Sequence, residues 1–278
     1  MLKALVQSIP SVEGLEAIVV DDHSSEDLSQ ISLEKFDYHK FIRNKPDKRY
    51  AGAARNAGLE QASGEYVFFA DSDDLIVSDG FLKCLELLGR DKPDILFCYA
   101  TSFKHSDGSR GTRHIRNNWL VKSVQKGASN KVLARSGGPI AKFIRKEFLD
   151  VHAIRFEPQR YSNDIVFSAS LMVHNPVVQV TNEVVYSVRE SNDSLVSDFS
   201  LESSLIRLEA LSRYNTLLNE NGLGYLRVPA LVLLSRIYGK DRRQAVSQAR
   251  RTKKIGHPVF FTWWTYKNIF LRWLSYKE

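Results

Sequence analysis

The chain has 278 residues, of which 43% are hydrophobic and 26% charged, a composition that excludes wholesale disorder and allows one or two domains. The net charge of +7 comes from the C-terminal end, because residues 236–278 hold 11 Lys and Arg against 2 Asp and Glu. The other residues hold 28 against 30, so they are close to neutral. Two cysteines and no apolar run of roughly 18 residues exclude a disulfide scaffold and predict a cytoplasmic protein.

The first hundred residues alternate between helical and strand patterns. Leu2, Leu5, Val6 and Ile9 share one helical face, and Ser24 begins a helix-capping pattern. Apolar runs predict strands, and longer periodic stretches predict helices. The strands are 16–20, 41–43, 66–70 and 95–99, and the helices are 52–62 and 81–88. This regular alternation is typical of an α/β fold with a mostly parallel sheet and helices on both faces.

The rest of the chain is less regular until its last third. Residues 101–135 are polar and predict a long loop, residues 140–149 a helix, and residues 161–189 a helix followed by a strand. A helical pattern begins after Ser200 and continues. We therefore expect an α/β domain over residues 1–200 and a helical region over residues 201–278.

The strongest chemical signal is a group of three carboxylates, Asp71, Asp73 and Asp74, directly after the strand at 66–70. Ligands bind at this carboxyl edge of open parallel sheets. Carboxylates two positions apart can reach a ribose hydroxyl and a divalent metal on a diphosphate. The alternative interpretation is a solvated acidic turn before the next helix.

Two further segments give that group a context. Asp21 and Asp22 follow the strand at 16–20, and Arg55 lies in the Ala-rich helix after Gly52. The sequences VVDDHSSED and GAARNAGLEQASGEYVFFADSDD resemble family 2 glycosyltransferases, which have the GT-A fold, over residues 15–100.

The resemblance implies a role for each of these residues. Asp21 or Asp22, with Arg55, would contact the uracil of a UDP-sugar, and Asp71 would hold the ribose. Asp73 and Asp74 would bind Mn²⁺ or Mg²⁺ on the diphosphate, where the metal stabilises the negative charge of the leaving group.

The resemblance extends to the acceptor side. In Tyr161-Ser162-Asn163-Asp164-Ile165, Asp164 aligns with the aspartate that acts as general base in an inverting transfer. Asn163 stands where the family usually has Glu. A helix-capping role is the alternative for Asp164.

Two departures from the wider group matter. Arg272-Trp273 is present, but Ile269 occupies the Gln position of the signature of processive synthases, so we expect transfer of a single sugar. The family's first strand has no counterpart ahead of Leu2. That gap favours a catalytically impaired binding subunit as an alternative. A sugar nucleotidyltransferase is less favoured, because no Gly-rich triphosphate loop is found.

The C-terminal tail combines cations with aromatic residues. Eight aromatic residues, including three of the four tryptophans, lie between His257 and Glu278. This composition is typical of an interfacial helix, so we expect residues 236–278 to bind an anionic membrane surface. The alternative is a helix that packs on the domain, and we expect no nucleic-acid partner. With the resemblance, the tail predicts a peripheral enzyme at the inner face of the cell membrane, acting on a lipid-linked glycan in surface polysaccharide or lipopolysaccharide synthesis.

Overall fold

The computed structural model describes residues 1–260 apart from residues 26, 27, 29, 46, 48 and 192–194. Within these residues the helices are α1 (Leu2–Ser8), α2 (Tyr50–Gln61), α3 (Ser78–Asp91), α4 (Ile115–Gln125), α5 (Lys146–Val151), α6 (Ile165–Val173), α7 (Leu201–Glu220), α8 (Leu231–Tyr238) and α9 (Arg242–Lys254). The strands are β1 (Glu16–Asp21), β2 (Tyr38–Arg43), β3 (Tyr66–Phe68), β4 (Leu75–Ile76), β5 (Ile95–Lys104), β6 (Lys142–Arg145) and β7 (Val178–Glu190). Over the same residues, no helix is both long and apolar enough to cross a membrane.

The strands form two sheets. β1 and β2 pair in parallel, and a five-stranded sheet has the order β3-β6-β5-β7-β4. β5 and β7 are parallel, but β3/β6, β5/β6 and β4/β7 are antiparallel. The α/β class is confirmed, and the sheet is mixed rather than mostly parallel. The reason is that β4 and β6, the two strands that the sequence pattern did not reveal, supply all three antiparallel pairings.

Helices cover both faces of the five-stranded sheet, as expected. Because side chains alternate along a strand, Ile95 and Phe97 of β5 enter one apolar cluster, and Leu96 and Cys98 enter another. The first cluster is built with α4, α6 and α7, and the second with α1 and α3. Both layers bury apolar surface against β5, which is therefore the centre of the fold.

Two predicted segments are corrected by the structure. Residues 140–149 are not one helix, because residues 142–145 form β6 between β3 and β5, and α5 begins only at Lys146. Residues 101–135 are not a long loop, because β5 continues to Lys104 and α4 follows. The side chain of Asn117 donates to Cys98 O, and that of Asn118 bonds both N and O of Ala100. The inner face of α4 is therefore partly polar, which hides its helical pattern.

Helices form both the beginning and the last third of the described chain. The chain opens on a helix, α1, and is helical through α7, α8 and α9, both as expected. Leu208 and Leu218 of α7 lie in the same apolar cluster as α4 and α6. The helix start predicted at Ser24 includes residues 26 and 27, which lie outside the described residues; the backbone N–H of Ser24 donates to Asp21 Oδ1. The aromatic tail from residue 261 onward lies outside the described residues.

Candidate active site

The loop that carries Asp71, Asp73 and Asp74 follows β3 and is fixed by two residues of β7. The Asp71 N–H donates to the Tyr186 hydroxyl at 2.8 Å. The Arg189 side chain donates to Asp73 O at 2.6 Å, and its backbone N–H donates to Asp74 Oδ1 at 2.7 Å. Tyr186 is fully buried, so the loop is attached to a rigid part of the sheet.

The three carboxylates of this loop have different surroundings. Asp74 is 4% exposed, and its burial raises the pKa to about 7, although hydrogen bonds from Arg189 and Tyr186 act in the opposite direction. Asp73 is half-buried, and no donor within the described residues bonds its carboxylate. Asp71 forms an ion pair with Arg55. In this loop the carboxylate of Asp74 is therefore hydrogen-bonded, that of Asp71 is paired with a cation, and that of Asp73 is available to a ligand.

The carboxylate of Asp73 fits a divalent metal that is shared with a substrate. Across the residues that the structure describes, no group of three His, Cys, Asp or Glu side chains could enclose a metal ion. Mg²⁺, however, is commonly held by one or two carboxylates together with phosphate oxygens of the substrate. Asp73 offers such a ligand, whereas Asp74 is already bonded to the backbone of Arg189.

Arg55 of α2 connects the carboxylate loop to the segment before α6. Its guanidinium bonds Asp71 and donates to Asn163 Oδ1 at 3.1 Å. Burial lowers the pKa of Arg55, but the charge and hydrogen bond of Asp71, together with the charge of Asp164, outweigh this effect, so the net pKa is raised. A Cβ at Gly52 would lie 2.2 Å from Glu157 O, so only glycine lets α2 approach this segment.

Asp164 lies immediately before α6, but its side chain makes no capping hydrogen bond. The capping alternative is therefore not observed. Burial raises the pKa of Asp164, and the charge of Asp71 adds to this effect, while Arg55 and Lys142 oppose it. A carboxylate with a raised pKa is a stronger base than a free aspartate.

Asp21 and Asp22 form a second group at the end of β1. Asp21 Oδ1 accepts from Ser24 N at 2.8 Å. Burial acts to raise the pKa of Asp21, but the hydrogen bonds from Ser24 and the charge of Arg43 together outweigh it, and the pKa is lowered. Asp22 accepts from Asn44 Nδ2 at 2.9 Å and from Tyr50 N at 2.8 Å. Tyr50 begins α2, so the helix that carries Arg55 links the two groups.

Several residues that shape the site were not predicted from the sequence. Tyr186 and Arg189 lie in a strand whose apolar alternation gave no reason to connect them with the loop at 71–74. A hydroxyl within the buried run of β7 is a usable signal, because a buried tyrosine hydroxyl needs a hydrogen-bond partner. Asn163 was noted only as a departure from the resemblance, yet it binds Arg55.

Comparisons with known proteins now identify the family. The sequence profile of glycosyl transferase family 2 matches residues 1–151, more than half of the chain. The chain belongs to glycosyl transferase family 2. Over 176 residues it is 25% identical to the GalNAc(5)-diNAcBac-PP-undecaprenol beta-1,3-glucosyltransferase of Campylobacter jejuni, a match that covers 62% of this chain and 55% of that protein.

A second relative and a solved structure complete the comparison. Over 80 residues the chain is 36% identical to an uncharacterized glycosyltransferase of Haemophilus influenzae, a match that covers 28% of this chain and 32% of that protein. The chain thus spans about a third to a half of the length of these relatives. The crystal structure of S. aureus TarS 1-349 with UDP-GlcNAc has a TM-score of 0.61 at 21% identity, and the match covers 84% of this chain and 66% of that chain. This likeness confirms the GT-A fold.

Proposed function

We propose that this family 2 protein transfers one sugar from a UDP-sugar to a glycan acceptor with inversion at the anomeric carbon. The observation that carries the proposal is the cluster of Arg55, Asp71 and Asp164. Arg55 bonds Asp71 directly. The charge of Arg55 lowers the pKa of Asp164, and the charge of Asp71 raises it. A carboxylate that could take a proton thus lies beside a group suited to a ribose hydroxyl.

The donor side is assigned from the two carboxylate groups. Asp71 binds the ribose, and Asp21 or Asp22 with Arg55 binds the base. The TarS structures contain UDP-GlcNAc and UDP, which supports a uridine nucleotide here. Asp73 holds Mn²⁺ or Mg²⁺, which when bound neutralises charge on the leaving diphosphate. Asp74 was expected to be a second ligand, and we now propose that it fixes the loop through Arg189.

On the acceptor side, Asp164 acts as general base. It takes the proton of an acceptor hydroxyl while that oxygen forms a bond to the anomeric carbon. The bond from the anomeric carbon to the diphosphate oxygen breaks at the same time, and UDP leaves with the electron pair. Backside attack of this kind inverts the anomeric carbon.

A screen of UDP-sugars tests the transfer. With Mn²⁺ and a lipid-linked oligosaccharide, we expect release of UDP from at least one donor and a product longer by one sugar. Binding of UDP without any turnover would instead support the binding-subunit alternative. Consumption of UTP and a sugar 1-phosphate would identify a nucleotidyltransferase.

We further propose that the acceptor is lipid-linked and that the protein binds an anionic membrane surface at the inner face of the cell membrane through residues 236–278. The Campylobacter relative is named for an undecaprenol-linked acceptor, which supports the first point. The second is supported by α9 and its C-cap region, where six cations are exposed. They are Arg242, Arg243, Arg250, Arg251, Lys253 and Lys254. Exposed Val246 and Ile255 lie among them.

Vesicle sedimentation tests this surface with a matched pair of variants. Replacing Arg250, Arg251 and Lys254 by Gln should weaken binding to phosphatidylserine vesicles by roughly 100-fold, at about 1 kcal/mol per cation. The control replaces exposed Lys104, Lys122 and Lys126 by Gln and should bind as the wild type does. Equal weakening in both variants would show unspecific attraction and contradict the assignment.

A further inference from the structure

Lys142, the first residue of β6, is a charged side chain in the core of the protein. It is 1% exposed, and its ammonium lies 5.4 Å from the centre of the Phe97 ring. Within the part of the chain that the structure describes, its hydrogen-bond acceptor is the carbonyl oxygen of Gly138. A buried lysine is costly unless its charge is compensated, so its presence here needs a reason.

Gly138 belongs to a turn in which two successive backbone carbonyls accept hydrogen bonds from buried side chains. Ser168 of α6 bonds Gly137 O, and Lys142 bonds Gly138 O. Gly137 has a φ of +81°, a conformation that favours glycine. The turn thus has a defined shape that two buried side chains maintain.

The other side of the turn faces Asp164. A Cβ placed on Gly138 would lie 3.8 Å from Asp164 Oδ2, an ordinary van der Waals contact. The backbone of Gly138 is therefore a neighbour of the carboxylate at which an acceptor hydroxyl would arrive. Lys142 therefore bonds the residue whose backbone lies next to the Asp164 carboxylate.

We propose that Lys142 is a positioning residue for sugar transfer, which holds the Gly137–Gly138 turn against Asp164 and so shapes the place where the acceptor hydroxyl binds. This inference rests on the proposed function, in which Asp164 is the general base. It adds a residue from β6 to a site otherwise built from β1, α2, the loop after β3 and the start of α6.

Electrostatics support the same assignment. Burial lowers the pKa of Lys142 to about 7, while the charge of Asp164 acts to raise it. In return, Lys142 lowers the pKa of Asp164, together with Arg55 of α2, whereas burial and Asp71 after β3 raise it. A neutral residue at position 142 should therefore raise the pKa of Asp164.

The test compares Lys142→Met with Lys122→Met, an exposed lysine of α4 that serves as the control. In Lys142→Met we expect unchanged Mn²⁺-dependent binding of UDP. The kcat for transfer should fall about tenfold or more, a part of the roughly 10²–10⁴-fold that a positioned base supplies. The acidic limb of the rate profile should move to higher pH by roughly half a unit or more. Lys122→Met should match the wild type in all three measurements.

Gly138→Ala is the second variant, and it provides the test in case Lys142→Met does not fold. Its methyl group should lower kcat/KM for the acceptor and leave UDP binding and thermal stability unchanged. Wild-type transfer in either folded variant, or loss of UDP binding in Lys142→Met, would overturn the inference. Asp164→Asn separates the two failures. If Asp164→Asn keeps full transfer, the proposed function fails, and if it is inactive while Lys142→Met is not, only the positioning role fails.

Discussion

The two sheets of this protein differ in burial, and each carries a different part of the candidate site. All six residues of β1 are only half-buried, and five of six in β2 are exposed. By contrast, Leu96 and Phe97 of β5 are fully buried. Asp21 is the last residue of β1 and Asp22 follows it, whereas Asp71, Asp73, Asp74 and Asp164 lie on the five-stranded side. Asp73 and Asp164, which are assigned to the metal and to proton transfer, thus lie beside the more buried sheet together with Asp71, assigned to the ribose. Asp21 and Asp22, assigned to the base of the nucleotide, lie at the more exposed sheet.

This difference predicts that catalysis and nucleotide affinity can be separated by substitution. Changes on the five-stranded side should affect turnover or stability strongly. Changes at the end of β1 should mainly weaken donor binding. The following predictions test that division.

Asp164→Asn should have the largest effect. We expect transfer to fall by roughly 10²–10⁴-fold because the base is lost, while the affinity for UDP stays within about twofold. Transfer is measured by UDP release and affinity by calorimetry. Asp37→Asn, at an exposed position, is the control, and equal loss of UDP binding and transfer would contradict the separation.

Arg55→Met should lower the free energy of unfolding by about 2 kcal/mol. This is less than the roughly 3–5 kcal/mol expected for a fully buried pair, because the Asp71 side chain is 41% exposed. The matched control is Arg43→Met at the end of β2. Arg43 lies 3.7 Å from Asp21 and its side chain is 70% exposed, so we expect a change within about 0.5 kcal/mol. Equal destabilisation in urea titrations would remove the contrast between the two regions.

Asp22→Asn should weaken UDP binding by about tenfold, since a hydrogen bond to a charged group contributes about 1.5 kcal/mol. Its carboxylate bonds Asn44 and the first residue of α2, and the proposed function assigns it to the base of the nucleotide rather than to the bond that breaks. The kcat at saturating donor should therefore change less than twofold. A fall in kcat larger than the rise in donor KM would place Asp22 in the chemistry instead.

The smallest predicted effect is the change of the transfer rate with pH near neutral pH. The pKa of Asp164 is raised above the ordinary 3.8 of aspartate, mainly by burial, and a base must be ionised to accept a proton. The value of kcat/KM should consequently fall as the pH is lowered through this raised pKa, at a higher pH than for a free aspartate. Loss of transfer only near pH 4, or in parallel with unfolding, would contradict this origin.

The sequence revealed the parts of the fold whose signal is local. The apolar runs directly before Asp21 and Asp71 identified two strands and the carboxylates beside them, because a short apolar run between polar residues favours a strand. The family resemblance then supplied the roles. β6 was missed because Lys142 and Arg145 occupy its two ends, so that only two consecutive apolar residues indicate a strand.

What the sequence could not show depends on contacts between distant residues. Arg55 bonds Asn163 across 108 positions, and Asp74 bonds Arg189 across 115. No spacing rule connects such pairs. Asp73 and Asp74 likewise differ because of β7: the backbone N–H of Arg189 bonds the carboxylate of Asp74, whereas the carboxylate of Asp73 stays available to a ligand.

The central claim is that a uridine diphosphate binds here together with a divalent metal at Asp73. Titration of UDP into the wild type and Asp73→Asn, each with and without Mn²⁺, tests it most directly. Mn²⁺ should tighten UDP binding to the wild type by about tenfold or more, equivalent to about 1.4 kcal/mol, and have little effect on Asp73→Asn. No UDP binding to the wild type, or an equal effect of Mn²⁺ on both proteins, would contradict the account.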